Sequence, residues 1–177
     1  MQEKAEADMT SEEILKRYRH TVKLCGSRDP ARICAAMNIQ VMLRDLGSLK
    51  GMSMVMMRNP FIVINKSLPS RMMRAVMAHE LGHLILHRDL LSEAALIRRQ
   101  TEMKLDEQPE YEANLFAALL LVDMGEMNAM LKDGYSVEAV AKSMKTDENF
   151  IAILLHAFGG KTDVRRTPEM PRANFLR

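Results

Sequence analysis

The segment Met77-Ala78-His79-Glu80-Leu81-Gly82-His83-Leu84-Ile85-Leu86-His87 contains the pattern His-Glu-x-x-His, around which the rest of the sequence can be interpreted. Apolar residues recur at helical spacing from Arg71 to Leu86, so we predict one helix over this range. Side chains four residues apart lie on one face of a helix, which lets the imidazoles of His79 and His83 bind the same metal ion. Zinc suits two neutral imidazoles together with a carboxylate.

Glu80 follows the first histidine directly, which places its carboxylate beside the metal, where it can accept a proton from a bound water. A catalytic zinc keeps one position open for water and lowers the pKa of that water to about 7. Because His-Glu-x-x-His also arises by chance, the motif has to be weighed together with its surroundings.

Gly82 and His87 are the two unusual residues of this helix. Glycine costs about 1 kcal/mol relative to alanine inside a helix, so we interpret Gly82 as a point where another element approaches closely, such as a helix that brings a third ligand. Three histidines over two turns span about 12 Å by helix rise, so one ion cannot bind all three. The pair His79 and His83 encloses the glutamate and is predicted to bind the metal. His87 is then either a polar residue at the helix end or a substrate contact.

The composition is that of an ordinary globular domain. The 177 residues are 47% hydrophobic and 27% charged with a net charge of +2, so composition favours neither a nucleic acid nor a membrane partner. The longest apolar run, Leu115 to Val122, is too short to cross a bilayer. Residues 1–10 lack the apolar core of a signal peptide, and Cys25 and Cys34 do not form a Cys-x-x-Cys pair. We therefore expect a location in the reducing cytoplasm.

We predict an α+β fold that is mainly helical, with a small antiparallel sheet of three strands beside the histidine helix. The strands are expected at Ile39–Leu43, Met52–Met57 and Phe61–Ile64, the last two as a hairpin. One edge of this sheet could hold an extended peptide as an added strand. Asn65, at the end of the third strand, either lines the cleft or is a simple turn residue.

The remaining elements are expected to be helices. They are predicted at Ser11–Leu24 with a capping box of Thr10 and Glu13, at Pro30–Met37 with a stop at Asn38, around Ser92–Arg99, and at Pro109–Leu121, Gly125–Leu131, Ser136–Met144 and Asp147–Phe158. Residues 1–10 are predicted to be disordered and 11–160 to form one domain, with a C-terminal helical subregion at 125–159. Residues 161–177 are predicted to be a flexible basic tail.

The helix that begins at Pro109 offers a third ligand for the metal. Its C-terminal half is apolar on nearly all sides and should be buried, and buried glutamates need a partner. Glu110 and Glu112 point to different faces, so only one of them can bind the metal. Glu110 shares its face with Asn114 one turn later, and Asn114 could accept the outer N–H of a ligand histidine.

The last two helices have the spacing of a helix-turn-helix. A helix that reads DNA bases would carry Arg, Lys, Asn or Gln along its length. The second helix instead begins with Asp147-Glu148-Asn149 and continues with mostly apolar residues from Phe150 to Leu155. We therefore interpret the two helices as packing elements, expect no direct contact with nucleic acid, and interpret His156 as a core or surface residue.

The two segments that carry these residues together resemble the ImmA/IrrE family of metallo-endopeptidases. That family has His-Glu-Leu-Gly-His, often with another histidine four residues on, as at His79–His83 with His87. Its later segment resembles Glu-x-Glu-Ala-Asn-x-Phe-Ala-Ala-x-Leu-Leu, as at Glu110–Leu121. The resemblance implies a zincin-like domain of the gluzincin type.

The resemblance also implies a role for each matching residue. His79, His83 and Glu110 would bind zinc, with manganese as the alternative ion, and Glu80 would be the base. Asn114 would orient a ligand from outside the coordination shell. The oxyanion of the reaction needs a hydrogen-bond donor as well, and Tyr111, Tyr135 and His87 are candidates between which the sequence does not choose.

Anti-repressor members of that family cleave a helix-turn-helix transcriptional repressor and are often encoded on prophages or other mobile elements. The resemblance therefore implies a cytoplasmic endopeptidase whose partner is a specific protein substrate, expected to be such a repressor. The alternative is a regulatory module that binds the repressor without cutting it and has a structural or vestigial zinc site.

Overall fold

A computed structural model of the chain describes residues 8–91 and 107–159. Its elements are α1 (Ser11–Cys25), α2 (Pro30–Ala36), β1 (Gln40–Arg44), β2 (Gly51–Met56), β3 (Asn59–Asn65), α3 (Ser70–Leu86), α4 (Glu107–Leu121), α5 (Met124–Lys132), α6 (Val137–Ser143) and α7 (Glu148–Phe158), with a 3-10 turn at Arg88–Leu91. The mainly helical α+β prediction is confirmed, and helix ends differ from the predicted ones by one or two residues. The helix predicted at Ser92–Arg99, the tail at 161–177 and most of 1–10 lie outside the described residues.

Local signals in the sequence determine several helix ends. Thr10 and Glu13 form the predicted capping box, because the backbone N–H of Glu13 donates to Thr10 Oγ1 at 3.3 Å and that of Thr10 donates to the Glu13 carboxylate at 2.8 Å. Ser136 and Asp147 cap α6 and α7 as predicted. Asn38 ends α2 in the left-handed conformation with a φ of 55°.

The sheet is mixed, with the strand order β1-β3-β2. The predicted hairpin of β2 and β3 is confirmed, but β1 pairs with β3 in parallel, so the prediction of an antiparallel sheet is wrong for β1. The connection at residues 45–50 can span about 20 Å when extended. That exceeds the roughly 10 Å needed to pass over one strand, and β3 can therefore lie between the two strands that precede it.

Asn65 stabilises this crossing of the chain. Its side-chain amide donates to the backbone oxygens of Gly47 and Leu49 at 3.0 and 2.9 Å, and its Oδ1 accepts from the backbone N–H and the hydroxyl of Ser67. Asn65 is only 3% exposed, so these bonds replace its contact with water. The structure thus gives Asn65 the turn role, which was one of its two predicted roles.

Helices α3 and α4 pack against each other through their backbones at Gly82. A Cβ atom on Gly82 would lie 2.9 Å from the backbone oxygen of Ala113 and 3.1 Å from its Cα. The close approach predicted from this glycine is therefore confirmed, and the approaching element is the helix that carries Glu110. The apolar half of α4 is buried, as its composition predicted.

Replacing Gly82 by alanine is expected to lower the free energy of unfolding by about 1–3 kcal/mol, because the added methyl group would overlap the backbone of α4. That loss should outweigh the gain of about 1 kcal/mol in helix propensity. Chemical denaturation of the purified proteins would measure the difference. Gly125→Ala is the matched control, since its methyl group would meet only the side chain of Asp123. Equal stability of Gly82→Ala and the wild type would contradict the close packing.

The last two helices pack within the domain. Helix α7 buries Phe150 through Leu154 and contacts α4 and α6, which agrees with the packing interpretation, and His156 is exposed on it. None of the helices in the described ranges is by itself long and apolar enough to cross a bilayer. Helices α4 and α5 reach that length and apolarity only as a pair bent by 82°.

Candidate metal centre

The packing of α3 on α4 brings His79, His83 and Glu110 together. The Nε2 atoms of the two histidines are 3.2 Å apart. The carboxylate oxygens of Glu110 lie 3.4 Å from His79 Nε2 and 3.5 Å from His83 Nε2. All three residues are buried, with exposed fractions of 3 to 6%. His83 and Glu110 are 27 positions apart in the sequence. The fold nevertheless points two imidazole nitrogens and a carboxylate at one position.

These distances fit a bound metal ion. Ligand atoms at the corners of a tetrahedron with metal bonds of about 2.0–2.1 Å lie roughly 3.3 Å from one another. The three donor separations in the structure are close to that value. Among the described residues, this is the one group of three or more His, Cys, Asp or Glu side chains with the spacing of a metal site. Three protein ligands also leave a fourth tetrahedral position for water or substrate.

Asn114 orients the imidazole of His79. Its Oδ1 lies 2.8 Å from His79 Nδ1, and both residues are buried. An amide oxygen only accepts hydrogen bonds, so Nδ1 carries a proton and Nε2 is the nitrogen whose lone pair can bind a metal. Nε2 faces His83 and Glu110. A metal-binding histidine is commonly held in this way from its outer side.

Glu110 is the negative group of the cluster. Burial raises the pKa of Glu110, but the hydrogen bonds and charges that His79 and His83 supply outweigh burial and hold the pKa below its usual range. The carboxylate is therefore ionised at neutral pH. When the two histidines are neutral, a cation bound between the three side chains would balance the charge of this buried carboxylate.

Glu80 lies on α3 between the two histidines and forms a hydrogen bond with a residue of the sheet. Glu80 is 8% exposed, and the hydroxyl of Ser53 on β2 donates to its Oε2 at 2.7 Å. Gly51 lies beside it on the same face of β2, where a Cβ atom would come within 3.4 Å of Glu80 Oε1. Glu80, the base predicted from the motif, thus accepts a hydrogen bond from Ser53, which lies on a strand outside the motif.

Glu112 faces the third histidine. Its Oε2 lies 3.4 Å from His87 Nε2, and its Oε1 accepts hydrogen bonds of 2.9 Å from the backbone N–H of Met9 and from the side chain of Gln108. The two glutamates of α4 therefore belong to different contacts, with Glu110 beside the first histidine pair and Glu112 beside His87. The sequence pattern alone did not distinguish Glu110 from Glu112 as the ligand.

Comparison with known proteins places the chain in a family. The family described as IrrE N-terminal-like domain, peptidase family M78, matches residues 34–156, which include both motifs. The chain belongs to this family. It is also 29% identical over 136 residues to the metallopeptidase ImmA of Bacillus subtilis (strain 168), across 75% of this chain and 78% of ImmA. The predicted resemblance and the prediction of a metallo-endopeptidase are confirmed.

In this M78 family member, the three residues predicted as oxyanion donors have different surroundings. The ring of His87 lies 5.7 Å from that of His83, next to the group formed by His79, His83 and Glu110. Tyr111 packs edge-to-face on His156 of α7, and burial raises its pKa against the lowering effect of a hydrogen bond with Ser11. Tyr135, at 53% exposure, lies in the turn between α5 and α6.

Ser53 is the residue of this M78 site that the sequence analysis missed. The alternation of a strand places Gly51, Ser53 and Val55 on the face of β2 towards α3, while methionines occupy the opposite face. Ser53 is the one buried residue of this edge strand, and a buried hydroxyl needs a hydrogen-bond partner. The alternation was visible in the sequence, but it indicated neither that the serine face is the inner one nor that Glu80 is the partner.

Proposed function

We propose that the protein is a zinc-dependent endopeptidase that cleaves a specific protein, expected to be a helix-turn-helix transcriptional repressor. The observation that carries the proposal is the convergence of His79, His83 and Glu110 beside a fixed Glu80. The similarity to a metallopeptidase supports a protein substrate. The repressor as substrate rests on the resemblance to the anti-repressor members of the family.

In the proposed reaction, His79, His83 and Glu110 would hold the metal, and Asn114 would keep His79 in the required tautomer. A zinc ion bound there would supply Lewis acidity to the scissile carbonyl and to water. Glu80 accepts a proton from the water whose oxygen attacks the carbonyl carbon. It then passes that proton to the amine nitrogen as the carbon–nitrogen bond breaks. The carboxylate ends the cycle in its starting state, so no further reactant is consumed.

The sheet offers a surface for an extended substrate. The order β1-β3-β2 puts β2 at one edge of the sheet, and the same strand holds Glu80 through Ser53. A peptide added along β2 would form backbone hydrogen bonds and pass beside the base. This arrangement supports cleavage within an unfolded or extended segment of a protein.

The function can be tested with purified protein loaded with zinc, or with manganese as the alternative ion. The sample would be incubated with candidate helix-turn-helix repressors, starting with any encoded beside this gene. Mass spectrometry would identify the new termini. We expect one cleavage site in one repressor and no cleavage after the metal is removed by a chelator. Intact repressors after treatment with either metal-loaded form would contradict the proposed substrate.

A second candidate is binding of the repressor without cleavage, favoured by a cavity away from the metal centre. The cavity has a volume of about 510 Å³ and lies at the opposite end of α3 from the histidines. Apolar side chains line it together with Arg71, Arg74, Lys145 and Asp147, and a partner's side chain could enter it. Equal relief of repression by the wild type and by Glu80→Gln would favour this function.

Replacing Asn114 by alanine is expected to weaken zinc binding by about 10- to 100-fold, because His79 loses the acceptor that fixes its tautomer. Competition with a chromogenic chelator would measure the affinity. Asn114→Asp retains an acceptor and should retain the affinity. Asn149→Ala, which removes an amide that bonds only locally at the start of α7, is the matched control. Unchanged affinity in Asn114→Ala would contradict the orienting role.

A further inference from the structure

Ser53 makes a contact with Glu80 that the reaction described above does not use. The two residues are 27 positions apart and lie on a strand and a helix, so their 2.7 Å hydrogen bond depends on tertiary packing. Ser53 is 5% exposed, and its hydroxyl is therefore shielded from competition with water. A hydrogen bond between a hydroxyl and an ionised carboxylate is also stronger than one between neutral groups.

The strand position two residues earlier, Gly51, packs against Val76 of α3 and lies next to the same carboxylate. A Cβ atom on Gly51 would collide with Val76 and would lie 3.3 Å from the backbone oxygen of Val63 and 3.4 Å from Glu80 Oε1. A side chain at position 51 would therefore occupy the space beside the carboxylate. Glycine at 51 leaves room for Val76, with Glu80 Oε1 next to it at van der Waals distance, and serine at 53 binds Glu80 Oε2.

We infer that Ser53 is a positioning residue for Glu80, an inference that rests on the proposed peptidase function. A glutamate side chain has three rotatable bonds, and a general base must lie within hydrogen-bond distance of the proton it accepts. The bond to Ser53 fixes Oε2 and leaves Oε1 to receive the proton of the attacking water. Without it, the carboxylate can rotate away from the position at which the water is attacked.

Kinetics of Ser53→Ala and Ser53→Thr test this role. The substrate is a fluorogenic peptide selected from a library with the zinc-loaded wild type. We expect kcat of Ser53→Ala to fall about 10- to 100-fold, with KM and zinc content little changed, because a small misplacement of a catalytic group has a large effect on rate. Ser53→Thr retains the hydroxyl and should recover most of kcat. A kcat of Ser53→Ala equal to that of the wild type would overturn the inference.

Thr21→Val provides a control for the loss of a buried hydroxyl. Thr21 is 4% exposed and donates to the backbone oxygen of Arg17 within α1. It is far from Glu80 in the sequence, and its hydrogen bond does not involve Glu80. The valine variant should hydrolyse the peptide at the wild-type rate. A fall in kcat equal to that of Ser53→Ala would show that the effect is general destabilisation, and it would overturn the inference.

Thermal unfolding gives a readout that does not depend on activity. In zinc-loaded protein, Ser53→Ala is expected to lower Tm by about 2–4 °C, and to have little effect in the Glu80→Ala background, where the hydroxyl has already lost its acceptor. Equal Tm shifts in the wild-type and Glu80→Ala backgrounds would show that the hydroxyl of Ser53 does not act through Glu80, and they would overturn the inference. Failure of the peptidase function would appear differently, as absence of hydrolysis by the wild type while the two unfolding shifts still differ.

Discussion

Replacing Glu80 by glutamine is expected to reduce peptide hydrolysis by about 10²- to 10⁴-fold without loss of the metal. The glutamine amide has the shape of the carboxylate, and its oxygen can still accept the hydrogen bond of Ser53. It cannot take a proton from water, so the nucleophile is not activated. Cleavage rates and metal content by mass spectrometry, measured on the same preparation, would check both parts of the expectation.

The matched control is Glu138→Gln, which makes the same chemical change at an exposed position in the first turn of α6. It should cleave at the wild-type rate. Substantial hydrolysis by Glu80→Gln would refute the assignment of Glu80 as the general base. Loss of metal from that variant would instead mean that Glu80 contributes to the binding site.

Replacing Glu110 by alanine is expected to remove the metal. The change deletes one of three donors together with its negative charge and leaves two neutral imidazoles. The loss of zinc affinity should exceed the roughly 10- to 100-fold loss expected when a residue that only orients a ligand, such as Asn114, is removed. We expect one zinc per chain in the reconstituted wild type and almost none in the variant after dialysis, measured by mass spectrometry of the metal.

Glu112→Ala is the matched control for this experiment, since Glu112 lies two residues away on the same helix and is also buried. Its carboxylate faces His87, so the variant should retain zinc. Circular dichroism would verify that both variants are folded. Retention of zinc by Glu110→Ala, or equal loss from both variants, would exclude Glu110 as the ligand that joins the two helices.

The convergence of His79, His83 and Glu110 was predictable because most of its signals lie in short segments of the sequence. The spacing of His79 and His83 determines that they share a helix face, and Gly82 indicated that a second helix comes close. The sequence limited the candidates for the third ligand to Glu110 and Glu112, which lie on different faces of α4. Contacts in the structure place Glu110 beside the first histidine pair, and this agrees with the assignment that the family resemblance implied.

The sheet order and the role of Ser53 were not predictable in the same way. Alternating apolar residues identify strands but do not specify which strands are neighbours, so the insertion of β3 between β1 and β2 had no local signal. The partner of Ser53 lies 27 residues away, on an element whose position depends on the whole fold. Contacts of this kind result from tertiary packing, and short patterns do not contain them.

The backbone contact between Gly82 and Ala113 has a consequence for the order of folding and metal uptake. It lies one residue from His83 and three from Glu110, so the distance between these two proposed ligands depends mainly on the contact between the two helix backbones. A site held in this way is preorganised, so its side chains lose little conformational entropy when an ion binds. Small zinc modules fold only around their ion. This domain is instead expected to fold first, exist as a stable apoprotein, and acquire its metal afterwards.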